Sequence, residues 1–307
     1  MVGRLDDLFN VVVAQFDRID RRIELAQEAL GRIEMRQLEG NSSNSLSDYE
    51  FRAFSQWGED GIIQFLLHRI KIDRKVFVEF GADNYNLESN TRFLLTNNNW
   101  AGLVMDSSDE AIKALKSTAA YWLYNLKAVR AFISRDNIND LLKENGITGE
   151  IGLLSIDIDG NDYWIWEAID VVQPVIVIVE YNHRFGPDRA VTIPYDENFD
   201  RVKAHPSRIY YGASLRALCD LGNEKGYAFV GCNSNGLNAF FVRRDKQPDG
   251  IRELTASEGY VAGAFSEVQR EGDKLVKWSP ADERALLDSS ELPLVTVGPD
   301  SREKKSG

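Results

Sequence analysis

Two doublets of oxygen-bearing side chains stand out in this sequence: Asp157 and Asp159 in "LLSIDIDGNDYW", and Glu180 and Asn182 in "VIVIVEYNH". Residues two apart on a strand point to the same side. Each doublet at a strand end therefore directs two oxygens one way. Three carboxylates and an amide carbonyl suit Mg2+ and suit Zn2+ poorly. Asp157 is also a candidate proton acceptor, as are His183, which directly follows the second doublet, and His205 in "KAHPSR". Removal of a hydroxyl proton needs either such a base or a metal that lowers the hydroxyl pKa. The plain alternatives are loop histidines and carboxylates that hydrogen-bond loop backbone. An EF-hand is excluded, because its twelve-residue spacing and terminal Glu are missing.

A second group of polar residues lies upstream: Glu79, Gly81, Asp83 and Asn84 in "VFVEFGADNYN", and Asp106 in "AGLVMDSS". A nicotinamide cofactor needs G-x-G-x-x-G after the first strand. Here one glycine is followed by acid and amide side chains, which repel a pyrophosphate. No G-x-x-x-x-G-K-[ST] occurs either. A cofactor with an ammonium, a sulfonium and a ribose but no phosphate fits the acidic setting, and S-adenosylmethionine is that cofactor. Glu79 would face its ammonium, Gly81 would let the backbone approach, and Asp106 would accept hydrogen bonds from the ribose hydroxyls. Gln56, Asn90, Ser107 and Phe132 are further candidate cofactor contacts. The structural alternatives are pairing of Glu79 with an arginine and capping of the next helix by Asp106.

Elements that would hold these residues can be read from the apolar pattern. "KVFVEFGA", "AGLVMDSS", "NLKAVRAFIS", "IGLLSIDIDG" and "PVIVIVEYN" are apolar runs of strand length, and the segments between them have helical spacing. Continuous apolar strands alternating with helices predict a parallel sheet covered on both faces. "GYAFVGCNSNGLNAFFVRRD" adds a hairpin with its turn at Ser234–Gly236. The expected fold is α/β, a doubly wound, seven-stranded, mostly parallel sheet. Such sheets bind ligands beyond the carboxyl ends of their strands, where the candidate residues lie.

The segments "FSQWGEDGII", "VFVEFGADNYNLESNTRFLL", "AGLVMD", "LLSIDIDGNDYWIWEAI", "VEYN" and "YYGASLRALCDLGNEKGYAFVGCNSNGLNAFF" resemble, in order, the FkbM-type S-adenosylmethionine-dependent methyltransferases. The resemblance covers roughly residues 54–244. It implies a Rossmann-like class I methyltransferase fold, S-adenosylmethionine as donor, and often a sugar or glycoconjugate hydroxyl as acceptor. The chain departs from the usual "D-x-E-G" after the fourth strand and has "DIDGND" instead. That stretch is somewhat similar to the metal-binding "D-G-D-x-Y" of macrolide sugar O-methyltransferases, with Asp159 at the ligand position.

Outside this region, Leu5, Phe9, Val12, Phe16, Ile19, Ile23, Ala26, Leu30 and Ile33 form a heptad seam, which predicts an N-terminal coiled-coil helix and self-association. A long helix packed on its own catalytic domain is the alternative. The expected organisation is residues 1–40 as oligomerisation helix, 41–50 as linker, 51–245 as methyltransferase domain, 246–297 as C-terminal appendage and 298–307 as disordered tail. Deleting residues 1–40 is expected to leave cofactor binding nearly intact. Residues 183–208 show little periodicity and are read as an acceptor-binding lid, with Tyr195, Tyr210 and Tyr211 available to stack on a sugar.

The chain has 307 residues, 36 Lys plus Arg against 48 Asp plus Glu, a net charge of −12 and two cysteines. That balance argues against nucleic acid and anionic membrane surfaces as partners and against a secreted disulfide scaffold. No membrane span is expected, and the N-terminus carries acids where a signal peptide would be apolar. A cytoplasmic protein with a small-molecule or glycan acceptor is the resulting expectation. Two competing readings are an NAD-type oxidoreductase and a non-catalytic oligomeric ligand-binding scaffold.

Overall fold

The computed structural model describes residues 2–81, 85, 88–263, 265, 268–271, 274–289 and 292–299, with side chains described from residue 9 onward apart from 17 and 268–271, and at residue 7. The positions of Asp83 and Asn84, and the tail from residue 300, lie outside the described residues.

The apolar runs form the sheet. β1 (Val76–Phe80), β2 (Ala101–Asp106), β3 (Leu126–Arg130), β4 (Gly149–Ile156), β5 (Val172–Glu180), β6 (Tyr227–Cys232) and β7 (Asn238–Arg243) lie in the order β3-β2-β1-β4-β5-β7-β6. The first five are parallel, and β7 inserts antiparallel between β5 and β6. Strand residues alternate between two cores. Val78, Leu103, Leu154 and Val177 enter one, while Phe77, Val104, Leu153 and Ile176 enter the other. Burial on both faces is why the runs are continuously apolar rather than alternating.

Connecting helices cover the two faces: α2 (Glu59–Arg69), α3 (Arg92–Asn98), α4 (Asp109–Ser117), α5 (Ala119–Leu123), α6 (Ile138–Glu144), α7 (Asp162–Ala168), α8 (Arg201–Ala204) and α9 (Leu215–Glu224). Ser108 and Ser214 cap α4 and α9 through their side chains. Beyond the sheet, α10 (Ala256–Gly259) packs at β6 and α11 (Pro280–Leu287) at the turn after β5. Val295–Thr296 pairs with Val191–Thr192, so the region after residue 245 folds back on the sheet domain.

α1 (Val2–Leu38) is one unbroken helix of 37 residues, about 55 Å long. Its second half meets the domain through Glu24, Gly31, Met35 and Leu38, against Arg92, Phe93 and Ala53. The predicted seam faces away: Phe9 is 68%, Phe16 61%, Ile23 51% and Leu30 61% exposed. The seam therefore does not lie on the sheet domain. No described helix is long and apolar enough to cross a membrane.

Candidate active site

A cavity of about 620 Å³ opens at the carboxyl ends of β1, β2, β4 and β5, within the size range of small-molecule sites. Its near wall is the loop before α2, shaped by two adjacent carboxylates at that helix's N-terminus. Asp60 Oδ2 accepts the backbone N–H groups of Ala53, Phe54 and Ser55 at 2.8, 2.7 and 2.8 Å. Burial pushes its pKa up to about 6. Glu59 Oε2 accepts the Trp57 N–H at 2.8 Å, and its Oε1 accepts the side-chain amides of Asn233 and Asn238, both at 2.8 Å. This bonding holds Gln56 and Trp57 against the cavity.

Gln56, Gly81, Asn90, Asp106, Ser107 and Phe132 all line the cavity, together with Met105, Ala131 and Ile133. Asp106 does not cap α4, a task that Ser108 performs. Its Oδ1 instead accepts the Ser108 N–H at 2.7 Å. Gly81 has φ +71°, and a Cβ there would sit 1.6 Å from the Asp157 carbonyl oxygen. The close approach that demands glycine is thus between the ends of β1 and β4.

Glu79 departs from expectation. It is 2% exposed, lies outside the cavity lining and, among the described residues, has no arginine salt bridge. Its Oε1 accepts the Asn90 N–H at 2.7 Å, and its Oε2 accepts the Ser89 and Thr91 hydroxyls at 2.7 and 2.5 Å. Burial raises its pKa to about 7 against these bonds. Glu79 therefore shapes the turn that presents Asn90 and does not face a cofactor ammonium.

At the ends of β4 and β5 the carboxylates converge differently from the predicted doublets. Oxygens of Asp157, Asp162 and Glu180 lie within 4.8 Å of one another. Asp157 and Glu180 are hydrogen-bonded, and burial followed by the neighbouring carboxylates raises both pKa values well above the usual carboxylate range. Asp162, a strand-end acid outside the predicted doublets, turns one oxygen to the Ile158 N–H at 2.8 Å and the other to the Gly160 N–H at 2.9 Å. It braces the loop, and burial raises its pKa to about 6.

Asp159 is not the expected partner of Asp157. β4 ends at Ile156, Asp159 adopts φ +57°, and its Oδ1 accepts from Arg201 at 2.7 Å. Asn182 is withdrawn as well. Its Nδ2 donates to the Ile209 and Tyr211 carbonyls, and its Oδ1 accepts the Arg184 N–H. The amide that does reach the cavity is Asn238, directly opposite Glu180 across β5 and β7. Glu59 holds its Nδ2, and its Oδ1, like Glu180 Oε2, is buried with no partner among the described residues.

Neither histidine lines the cavity. His183 is buried against Gly263 and Phe265, and burial with nearby Arg184 lowers its pKa to about 3. His205 ends α8 and bonds Ser207 Oγ at 2.6 Å. The segment from 183 to 208 contributes Glu197, Phe199 and Arg201 to the wall. Of the three tyrosines, Tyr211 alone lines the cavity, beneath the Arg201 guanidinium at 4.0 Å. The Tyr210 hydroxyl donates to the Pro293 carbonyl, and the Tyr195 ring lies under Arg135. Phe265, from the C-terminal region, completes the wall beside Trp57.

No family model matches the chain, and no curated protein matches it. Several solved structures align with part of it. One is a S-adenosylmethionine-dependent methyltransferase from Clostridium acetobutylicum, 10% identical, covering 60% of this chain and 89% of that one, with a TM-score of 0.38. Another is the fibrillarin pre-rRNA processing protein of Methanococcus jannaschii, 9% identical over 61% and 74% of the two chains, with a TM-score of 0.38. A third is an O-methyltransferase from Bacillus cereus in complex with SAH, 15% identical over 54% and 72%, with a TM-score of 0.35. Superpositions this loose carry no argument about chemistry. The strand order itself defines the fold.

Proposed function

We propose that the chain is an S-adenosylmethionine-dependent O-methyltransferase acting on a hydroxyl of a sugar or glycoconjugate. One observation carries the reading: an acidic strand-end cavity lined by Asp106 at β2 and by the buried carboxyl pair Asp157 and Glu180 at β4 and β5. The ordered resemblance to FkbM-type methyltransferases supports it.

The residues present fit the cofactor. Asp106 offers a carboxylate for vicinal ribose hydroxyls, and Phe132 and Ile133 offer apolar contact for a base. Among the described lining residues Arg201 is the one cation, and Asp159 engages it rather than leaving it for a pyrophosphate. When bound, S-adenosylmethionine supplies a methyl group on a sulfonium. The chain must then align the acceptor oxygen and remove its proton. The Asp157–Glu180 pair is the proton acceptor in this account, and burial beside neighbouring carboxylates raises its affinity for a proton. Trp57, Phe199 and Phe265 offer rings to the apolar face of a sugar. His183 and His205 have no part in the step.

A divalent cation is a second reading of the same pair, favoured by the orphaned Asn238 Oδ1 and Glu180 Oε2. Asp157, Glu180 and Asn238 would hold Mg2+, which would lower the acceptor hydroxyl pKa. Turnover that survives exhaustive EDTA treatment excludes the metal, whereas loss restored by Mg2+ supports it. The cofactor is tested by calorimetry with S-adenosylhomocysteine and NAD: binding of NAD alone would move the protein to the oxidoreductases.

A further inference from the structure

The two sides of α1 differ in a way that a lone domain does not explain. The side against the domain follows Glu24, Glu28, Gly31, Met35 and Leu38, in steps of four and three. Its docking contacts mix polar, small and apolar residues: Glu24 pairs with Arg92, Gly31 lies so close to Phe93 that a Cβ would meet the ring at 2.8 Å, and Met35 and Leu38 pack on the cluster around Phe93. The opposite side carries the apolar seam, and Phe9, Phe16, Ile19, Ile23 and Leu30 are 50–68% exposed. An amphipathic helix normally turns its apolar stripe inward, and this one turns it outward.

We propose that a second copy of this chain docks on that outward face. The seam repeats in heptads, the pattern by which identical helices interlock knobs into holes. From Phe9 to Ile33 it presents on the order of 600 Å² of apolar surface, more than soluble monomers ordinarily expose. Two such faces together bury about 1,200 Å², enough for a specific interface. Arg18, Asp20 and Arg22 bring both signs of charge beside the seam, which suits a like helix better than an anionic lipid surface.

Light scattering of the full chain at micromolar concentration tests the proposal. The wild type is expected at a multiple of 34.7 kDa. Phe16→Glu with Ile23→Glu is expected at 34.7 kDa with an unchanged circular dichroism spectrum, since both side chains are exposed in the single chain. A wild type at the single-chain mass, or a variant that keeps the assembly, overturns it. A single-chain wild type that co-sediments with phosphatidylglycerol vesicles would make the seam a lipid contact instead.

A separate observation concerns the inner face. Glu24 Oε1 accepts from Arg92 Nη2 at 2.6 Å, and Arg92 is 1% exposed. Arg92 Nη1 donates to the Tyr85 carbonyl at 2.7 Å, and the Arg92 N–H donates to Ser89 Oγ. The same segment carries Asn90 at the cavity wall. The geometry points to Glu24 as a positioning residue for the cofactor wall, an inference that rests on the methyltransferase reading. Residues 1–40 are then not separable from cofactor binding. Glu24→Ala is expected to weaken S-adenosylhomocysteine binding about tenfold while the assembly mass stays that of the wild type, and Glu24→Gln to fall between. A purely structural role would lower the melting temperature and leave the affinity of the folded protein alone. Affinity within twofold of wild type overturns this inference only. A wild type that binds no S-adenosylhomocysteine overturns the cofactor reading and this inference with it.

Discussion

Glu79 provides a test of the buried site that needs no substrate. Its carboxyl lies inside the domain and receives one backbone N–H and two hydroxyls. Burial nevertheless lifts its pKa from 4.5 to about 7. A carboxyl whose pKa is higher in the folded chain than in the unfolded one binds more proton when folded. It therefore favours folding fully below about pH 4.5, and that contribution is lost as pH rises through about 7. At about 1.4 kcal/mol per pKa unit, the loss across this window is about 3 kcal/mol. Asp60 and Asp162, each raised to about 6, act in the same direction, so the wild-type curve alone does not isolate Glu79. Glu79→Gln removes the titration and keeps the shape. Its amide oxygen accepts the Asn90 N–H, and the Ser89 and Thr91 hydroxyls rotate to accept from its amide hydrogens. Urea unfolding of both proteins, at one protein concentration and from pH 4.5 to 8, gives the comparison. The difference between the two curves should change by about 3 kcal/mol across the range. Parallel curves would mean that Glu79 stays ionised in the folded protein and that its hydrogen bonds outweigh burial.

Asp106→Ala should weaken S-adenosylhomocysteine binding by about 1–3 kcal/mol, the scale for leaving donors without a charged partner; calorimetry on the folded variant would show unchanged affinity if Asp106 serves the loop alone. Asp157→Asn and Glu180→Gln should each lower kcat by roughly 10²–10⁴-fold with little change in cofactor affinity, and retained turnover in both would remove the pair from the mechanism. Gly81→Ala should destabilise the chain by more than about 3 kcal/mol, because its Cβ would overlap the Asp157 carbonyl at a φ that favours glycine; a thermal melt within a few degrees of wild type would contradict that packing.

Much of the fold was legible because the sheet is buried on both faces, so each strand appears as an apolar run. The hairpin was readable from its turn at Ser234–Gly236, but its insertion beside β5 was not. Asn238 reaches the cavity only through that register with Glu180, a contact between residues nearly sixty apart. The carboxylate doublets misled because the two-residue rule holds only within a strand. β4 stops at Ile156, and the positive φ of Asp159 carries it away to Arg201. Glu79 misled for the opposite reason: it remains inside β1, where its side chain points into the domain. Asp60 and Glu59 did leave a signal, since adjacent acids at a helix start are poised to accept backbone N–H groups. Phe265 left none, because a loop far along the chain brings it to Trp57. The heptad seam was plain, yet the Glu24 contact that ties α1 to Arg92 became apparent only in three dimensions.

Calorimetric titration of the full chain with S-adenosylhomocysteine, repeated with NAD under the same conditions, bears most directly on what the cavity holds. Saturable binding of S-adenosylhomocysteine, weakened in Asp106→Ala, with no heat from NAD, is the result expected of a methyltransferase site. Binding of NAD without S-adenosylhomocysteine would contradict it, and so would silence from both ligands in a protein whose circular dichroism shows it folded.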